Sequence, residues 1–411
     1  MPSVVKTPTQ SWQINPTHIL VLCNPIFILA NNQNKSTLRV AVNTRFLIAD
    51  KLEGIGRFTF ETLKIIVKNN PEVEFIFCFD RPFDPQFIFA PNIKPLVINP
   101  PARHPFLWHI WFQYHLPKAL KPLQIDVLLS PDGFLPLNAP FKTVAVIHDL
   151  AFQHFPKGVS WIRQKYYQYF FPRFIKKATQ IIAVSEFTKQ DIIHQYQIKE
   201  DKIAVVYNGV SSGFKPASQK LKEETIQKTT GGTPYFVCIG AIHPRKNIIT
   251  LLKAFDNYSQ KQKNPFKLVI IGRKGWKNNE LENVYRQMKS KDDVIFTGKL
   301  NDNNLIHILA SAKAAIYPSI FEGFGLPVLE AMACGVPVIT TSNTAMQEIA
   351  QDAAFYFNAT EEKELAQMMQ NFEEDAELLA SKTQKGLDQA QKYTWENSAN
   401  LLWQSILKTI N

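Results

Sequence analysis

Cysteine is scarce in this chain of 411 residues: Cys23, Cys78, Cys238 and Cys334 are its four, and no two stand in a C-x-x-C spacing. That spacing offers neither a disulfide framework nor a zinc site, and thiols set mostly in apolar runs read as buried side chains of a reducing compartment. Long apolar runs are lacking as well. The stretch HILVLCNPIFILA, His18 to Ala30, is interrupted by Asn24 and Pro25 and falls short of the roughly 20 residues that a helix needs to cross a bilayer. The segment ahead of it holds a single lysine, Lys6, and no convincing cleavage region follows, which makes a poor signal peptide. Residues 1–37 are expected to be an N-terminal extension. No DNA or RNA recognition motif is present, so nucleic acid is not expected as a partner.

What is present is an ordinary globular composition, 45% apolar and 20% charged, at a length that suggests two or three domains. The net charge of +11 is unevenly placed: residues 1–200 carry 22 Lys and Arg against 13 Asp and Glu, whereas residues 201–411 carry 24 against 22. A basic first half predicts affinity for something anionic, with a membrane surface or a phosphorylated acceptor ranked ahead of nucleic acid.

The chain is organised around Ala314 to Thr341, AAIYPSIFEGFGLPVLEAMACGVPVITT. It reads as an apolar strand ending near Pro318, a glycine loop from Glu322 to Gly325, a helix opening at Pro327 and stopped by Gly335, and a second apolar strand. In such a βαβ unit the loop and the helix start bring backbone N–H groups and the positive end of the helix dipole to one place, where a phosphate can sit. Gly323 and Gly325 are expected to let the backbone approach that phosphate. Glu322 and Glu330 bracket the loop. Carboxylates are repelled by phosphate, so both are expected to accept hydrogen bonds from sugar hydroxyls on either side of a diphosphate. Eight helical residues span roughly 12 Å, wider than the roughly 5 to 9.5 Å between the two carboxyls of a glycosidase, which disfavours hydrolysis. An ordinary βα turn with two solvated glutamates accounts for the same residues equally well.

FEGFGLPVLEAMACGVPVI resembles the E-x7-E signature of the family 4 glycosyltransferases, retaining enzymes with the GT-B fold. The resemblance implies an α/β protein of two facing Rossmann-like domains and a C-terminal helix that crosses back to the N-terminal domain. Further matches extend it over roughly residues 38–411. GIGRFT, with Gly54 and Gly56 after the strand LRVAVNTRF, resembles the N-domain glycine loop that faces the donor diphosphate. A dinucleotide fingerprint would want glycine where Thr59 stands, so NAD binding is a poor fit. In IHDL, His148 follows an apolar strand, at the end that meets the crevice in open α/β sheets. A histidine so placed is more often structural; the resemblance makes it a contact to the donor sugar. QIIAVSEFTKQDII reads as strand then helix, with Ser185 as N-cap.

GAIHPRKN resembles the P-R-K-N block of a branch that includes mannosyltransferases. Two cations in a strand-to-helix loop, Arg245 and Lys246, can clamp a diphosphate and stabilise the charge that develops as it leaves; solvated surface cations are the alternative. Many members carry arginine where Ala241 stands here, and Arg245 is expected to supply that charge. The turn after Val294 to Gly298, with Leu300, falls where the family holds the nucleotide base.

The expected domains are 38–210 for the acceptor, 211–233 as linker, 234–392 for the nucleotide sugar, and 393–411 as the closing helix. The resemblance implies catalytic His148, Lys246 and Glu322. The donor would be held by Gly56, Arg245, Lys246, Leu300, Glu322, Gly323, Phe324, Gly325, Leu326 and Glu330, with Glu330 on the ribose. No D-x-D stands in a likely donor loop, so no metal and no cofactor beyond a nucleotide-sugar donor, GDP-mannose favoured, are expected. The acceptor is expected to be a glycan or lipid-linked glycan, and the protein cytoplasmic, with peripheral contact to the inner face of the membrane through the basic N-domain. The aromatic stretch His104 to Leu123, closing on Lys118 and Lys121, suits a core helix first, and after that a membrane interface or a sugar-stacking wall. A non-catalytic binding protein or a nucleotide-sugar epimerase of the same fold are the alternatives; an epimerase would need acid and base groups that these motifs do not supply.

Overall fold

The computed structural model describes residues 37–411 apart from 50, 159 and 273–278. Cys23 and the apolar stretch His18 to Ala30 lie outside the described residues. Seven strands of the first half, β1 (Arg39–Asn43), β2 (Glu74–Phe79), β3 (Ile93–Val97), β4 (Val127–Ser130), β5 (Lys142–Ile147), β6 (Gln180–Ala183) and β7 (Ile203–Val205), form one sheet. Its order is β3-β2-β1-β4-β5-β6-β7, and every pair in it is parallel. Six more, β8 (Tyr235–Ile239), β9 (Lys267–Ile271), β10 (Val294–Gly298), β11 (Ala314–Tyr317), β12 (Val338–Thr341) and β13 (Ala354–Phe357), form a second parallel sheet in the order β10-β9-β8-β11-β12-β13. These are two Rossmann-like units.

Parallel strands covered by helices on both faces must be apolar throughout, and the central ones are: VLLS in β4 and YFVCI in β8 are buried at every position,. In each sheet the chain order reverses once, between β1 and β4 and between β8 and β11. Loops leaving the carboxyl ends of those strands part to opposite faces there and open a crevice. The loops after β8 and β11, at the second reversal, carry Arg245, Lys246 and Glu322.

The last helix, Trp395–Ile410, returns to the first half. It packs on the helix Ile55–Asn69 and on β4, β5 and β6. Trp395 meets Phe58 edge to face at 6.3 Å and Trp403 lies 6.0 Å from Phe75. One apolar cluster therefore runs from Val40 and Phe58 in the first half to Val237 and Val328 in the second. The expected crossing helix is borne out.

Two stretches differ from their sequence reading. Residues 211–233, expected to be a linker, contain the helix Gln219–Thr230, whose N-cap Ser218 accepts from the Leu221 N–H and whose end is closed by Gly231 at φ 72°. The segment is polar almost all round, so it lacks an apolar stripe, yet Lys, Glu and Gln are strong helix formers. The aromatic stretch is a helix over Pro105–Ile110, a π-helical turn over Trp111–His115 and a helix over Leu116–Leu120. Trp111, Phe112 and Leu116 are buried, as a core helix requires, while Phe106 and Tyr114 are 66% and 62% exposed.

Candidate active site

After β8 the chain makes a tight turn, Pro244–Lys246, with the His243 ring accepting the Arg245 N–H at 3.3 Å, before the helix Ile248–Lys261 begins. The turn aims both cations at one carboxylate. Arg245 Nη1 lies 2.6 Å from Glu322 Oε2 and Lys246 Nζ lies 2.5 Å from Glu322 Oε1. Arg245 also donates to the Phe321 carbonyl at 3.1 Å, and its own carbonyl accepts the Ile320 N–H at 2.8 Å, which ties the two loops together. Glu322 is 8% exposed. Burial pushes its carboxyl up, but Lys246 and Arg245 outweigh burial and hold it at about 2. A buried carboxylate with one partner often gains little. With two it stays ionised, and Asp149 adds a second negative charge that acts on Arg245.

Gly325 caps the helix Leu326–Ala333 at φ 101°, a conformation open to glycine at little cost,. The helix therefore starts at Leu326 with Pro327 inside its first turn, and its unpaired N–H groups stand beside the Glu322 cluster in sequence. Phe324 is buried against the Tyr207 and Tyr393 rings at 6.3 and 6.1 Å, so its side chain serves the core and only its backbone is left to meet a ligand. Glu330, on the same helix, is raised to about 8: burial dominates, the Arg57 charge lowers it and Asp302 raises it. Arg57 Nη2 in turn pairs with Asp302 Oδ2 at 2.7 Å, joining the GIGRFT helix of the first half to the helix Asp302–Ala310 of the second. Gly56 stands beside Arg57 in the first turn of the helix Ile55–Asn69, and Leu300 is half-buried against the main apolar cluster.

Across from this lies the end of β5. His148 shares its Nε2 with the Pro131 carbonyl at 2.9 Å and meets Phe58 edge to face at 5.3 Å. Burial lowers its pKa, against the carbonyl bond and the charges of Asp149 and Asp132. A neutral ring that donates from Nε2 leaves Nδ1 as an acceptor. Gly323 also has a packing role that was not expected. A Cβ there would stand 1.9 Å from the His148 carbonyl oxygen and 2.7 Å from the Asp149 Cβ. Glycine is required at this point by the approach of the other half of the chain.

That approach is fastened. The Gly323 carbonyl accepts from the Ser185 hydroxyl at 2.6 Å and from the Thr188 hydroxyl at 2.9 Å. Ser185 is also the N-cap it was expected to be, accepting the Thr188 N–H at 3.0 Å. Glu348 accepts the Glu186 and Phe187 N–H groups, both at 2.8 Å. A carboxylate at the N-terminus of the helix Glu186–Tyr196 is favoured by its dipole as well.

The structure thus brings Arg245, Lys246 and Glu322 into one ion cluster, sets His148 and Asp149 against the adjoining glycine, and gathers Glu330, Arg57 and Asp302 into a second polar group. Sequence reading did not single out Arg57, Asp302, Thr188 or Glu348. Arg57 and Thr188 lay within the GIGRFT and QIIAVSEFTKQDII stretches already in view; Asp302 and Glu348 carry no local signal.

Two family models match the chain: glycosyltransferase family 4 over residues 52–213, and glycosyl transferases group 1 over residues 220–389. The O-antigen chain mannosyltransferase B of Escherichia coli is 28% identical over 281 residues, covering 68% of this chain and 73% of that one. The O-antigen chain mannosyltransferase RfbU of Salmonella typhimurium is 27% identical, over 70% of this chain and 76% of that one. Among solved structures, HepE from Anabaena in complex with UDP and glucose superposes with a TM-score of 0.70 at 16% identity, covering 90% of this chain and 100% of that one. WaaG, a glycosyltransferase involved in lipopolysaccharide biosynthesis, gives 0.68 at 14%, covering 88% and 98%. With the two matched models spanning the two Rossmann-like units in order, the chain belongs to the family 4 glycosyltransferases and has their GT-B fold.

Proposed function

We propose that the protein moves a hexose, mannose from GDP-mannose by preference, from a nucleoside diphosphate sugar to a hydroxyl of a glycan or lipid-linked glycan, with retention of configuration and without a metal. The observation that carries the reading is the Arg245, Lys246 and Glu322 cluster, set between the start of the helix Leu326–Ala333 and the His148 backbone. In the transfer, the bond from the anomeric carbon to the departing phosphate oxygen breaks as a bond to the acceptor oxygen forms on the same face. The acceptor proton passes to the phosphate oxygen that leaves. Lys246 and Arg245 stabilise the charge that grows there, assisted by the Gly323 to Leu326 backbone. Glu322 holds sugar hydroxyls, Glu330 the ribose, and neutral His148 accepts from the sugar on the opposite wall, while Gly56 and Leu300 border the donor.

Preference for mannose rests on the mannosyltransferase relatives and on the P-R-K-N block. A cytoplasmic protein in peripheral contact with the membrane is consistent with two features: the basic first half, and the exposed Phe106, Tyr114 and Trp161. No helix among the described residues is long and apolar enough to cross a membrane.

The test is transfer from GDP-mannose to glycan acceptors in EDTA, with the new anomeric proton read by NMR. An α-linked product with a rate unchanged by EDTA is expected. A β-linked product would overturn retention, loss of turnover in EDTA that magnesium restores would overturn metal independence, and consumption of donor without acceptor would favour the epimerase reading.

A further inference from the structure

A cavity of about 560 Å³ in the first half is lined in part by His148 and Asp149, the two residues that also meet Gly323. Its walls are aromatic, with Trp108, Phe134, Phe152 and Tyr167 among them, and it holds four arginines, Arg45, Arg81, Arg103 and Arg163. Two of these are neutralised. Arg45 is buried and paired with Asp132, with its guanidinium 4.7 Å from the Phe134 ring centre. Arg81 is paired with Asp80 through contacts of 2.5 and 2.6 Å.

Arg103 and Arg163 are exposed and make no ion pair among the described residues. Arg163 stands over the Trp108 ring, 5.6 Å from its centre. Holding a guanidinium against an indole fixes its planar fork without using its N–H donors. One fork so held, with the exposed Arg103 lining the same cavity, matches an oxyanion with several acceptor oxygens, and the aromatic lining matches the apolar faces of sugar rings. The other end of the cavity reaches the reaction centre, since Asp149 acts on Arg245 through its charge and abuts Gly323.

We propose that this cavity receives the acceptor, and that the acceptor bears a phosphate or diphosphate group bound by Arg103 and Arg163 while its sugar lies along Trp108 toward His148. The proposal rests on the glycosyltransferase reading of the neighbouring cluster and adds to it the acceptor's chemistry. The phosphate could be carried on a sugar or could link a glycan to a lipid.

The experiment is calorimetric titration of the full chain, with its preferred nucleotide saturating the donor site. The probes are mannose 6-phosphate for a sugar-borne phosphate and farnesyl diphosphate for a lipid-borne one, against methyl α-mannoside, farnesol and glucuronate. One of the two phosphorylated probes is expected to bind at least about ten-fold more tightly than the uncharged probes and glucuronate, and to lose about ten-fold or more in Arg103→Gln/Arg163→Gln. Which phosphorylated probe binds identifies the source. Arg103→Lys/Arg163→Lys should fall between. Equal affinity for charged and uncharged probes, equal affinity for glucuronate, absence of binding by both phosphorylated probes, or an unaffected double variant overturns the proposal. Nucleotide binding by the double variant shows that it is folded. Should the nucleotide fail to bind even the wild type, the transferase reading fails by that result, and the probe titrations still decide the cavity.

Discussion

At the residue scale, Glu322 and Glu330 share a motif and differ in charge state. Glu322 sits at about 2 and Glu330 at about 8, so at neutral pH the first is ionised and the second holds a proton. A ribose diol donates hydrogen bonds and favours the ionised carboxylate, so its arrival should lower the Glu330 pKa and release a proton. Nucleotide affinity should then rise as pH goes from about 6 to 8 and level off above. The check is calorimetry in buffers of different ionisation enthalpy: proton release at pH 7 in the wild type and none in Glu330→Gln is expected, and equal enthalpies across buffers would contradict the role. The sign for stability runs the other way for the two groups. Glu322, depressed below its ordinary value of 4.5, contributes stability that is present above that value and is lost as pH falls toward 2. Glu330, raised from the same value, favours the folded state at low pH and loses that contribution as pH climbs through 8.

Among the elements, the two helices that fasten the halves were half legible. Ser185 could be read as a cap because it stands between an apolar strand and a helical pattern. Its second bond, to Gly323 138 residues away, and the Glu348 bond to the Glu186 N–H 162 residues away, leave no local trace. The same holds for Arg57 and Asp302, 245 residues apart. The βαβ unit around Glu322 was legible because apolar strands, a positive-φ glycine and Pro327 each agree on one local structure. The role of Gly323 was not, since a close approach within one unit and a close approach between two demand the same residue. Glu348→Ala would leave two helix N–H groups without their acceptor, a loss of about 1 to 3 kcal/mol. The expected outcome is a looser pair of halves, seen as a larger radius of gyration in solution scattering, with kcat/KM about ten-fold lower or worse. Unchanged scattering and rate would show the contact to be incidental. Trp395→Ala, which empties the contact between closing helix and Phe58, should cost about 3 to 5 kcal/mol in denaturant unfolding.

For the whole molecule, architecture was the most legible property. Apolar runs alternating with helical patterns point to parallel sheets with covered faces. The helix Gln219–Thr230 escaped notice because polarity of composition does not forbid a helix. With Phe106 and Trp161 exposed on a basic half, the protein should co-sediment with vesicles containing about a third phosphatidylglycerol and release in high salt. Equal recovery with neutral vesicles, or none with either, would remove membrane contact from the account.

The proposed nucleotide-sugar site lies at the reversal between β8 and β11, with Lys246 in the turn after β8 and Glu330 in the helix after β11. The most direct measurement is calorimetric titration of GDP, UDP and ADP into the protein in EDTA, repeated on Lys246→Ala and Glu330→Ala. One nucleotide, GDP before UDP, should bind, with affinity reduced about ten-fold or more in each variant. Failure of all three to bind, or binding that both variants leave untouched, would contradict this site.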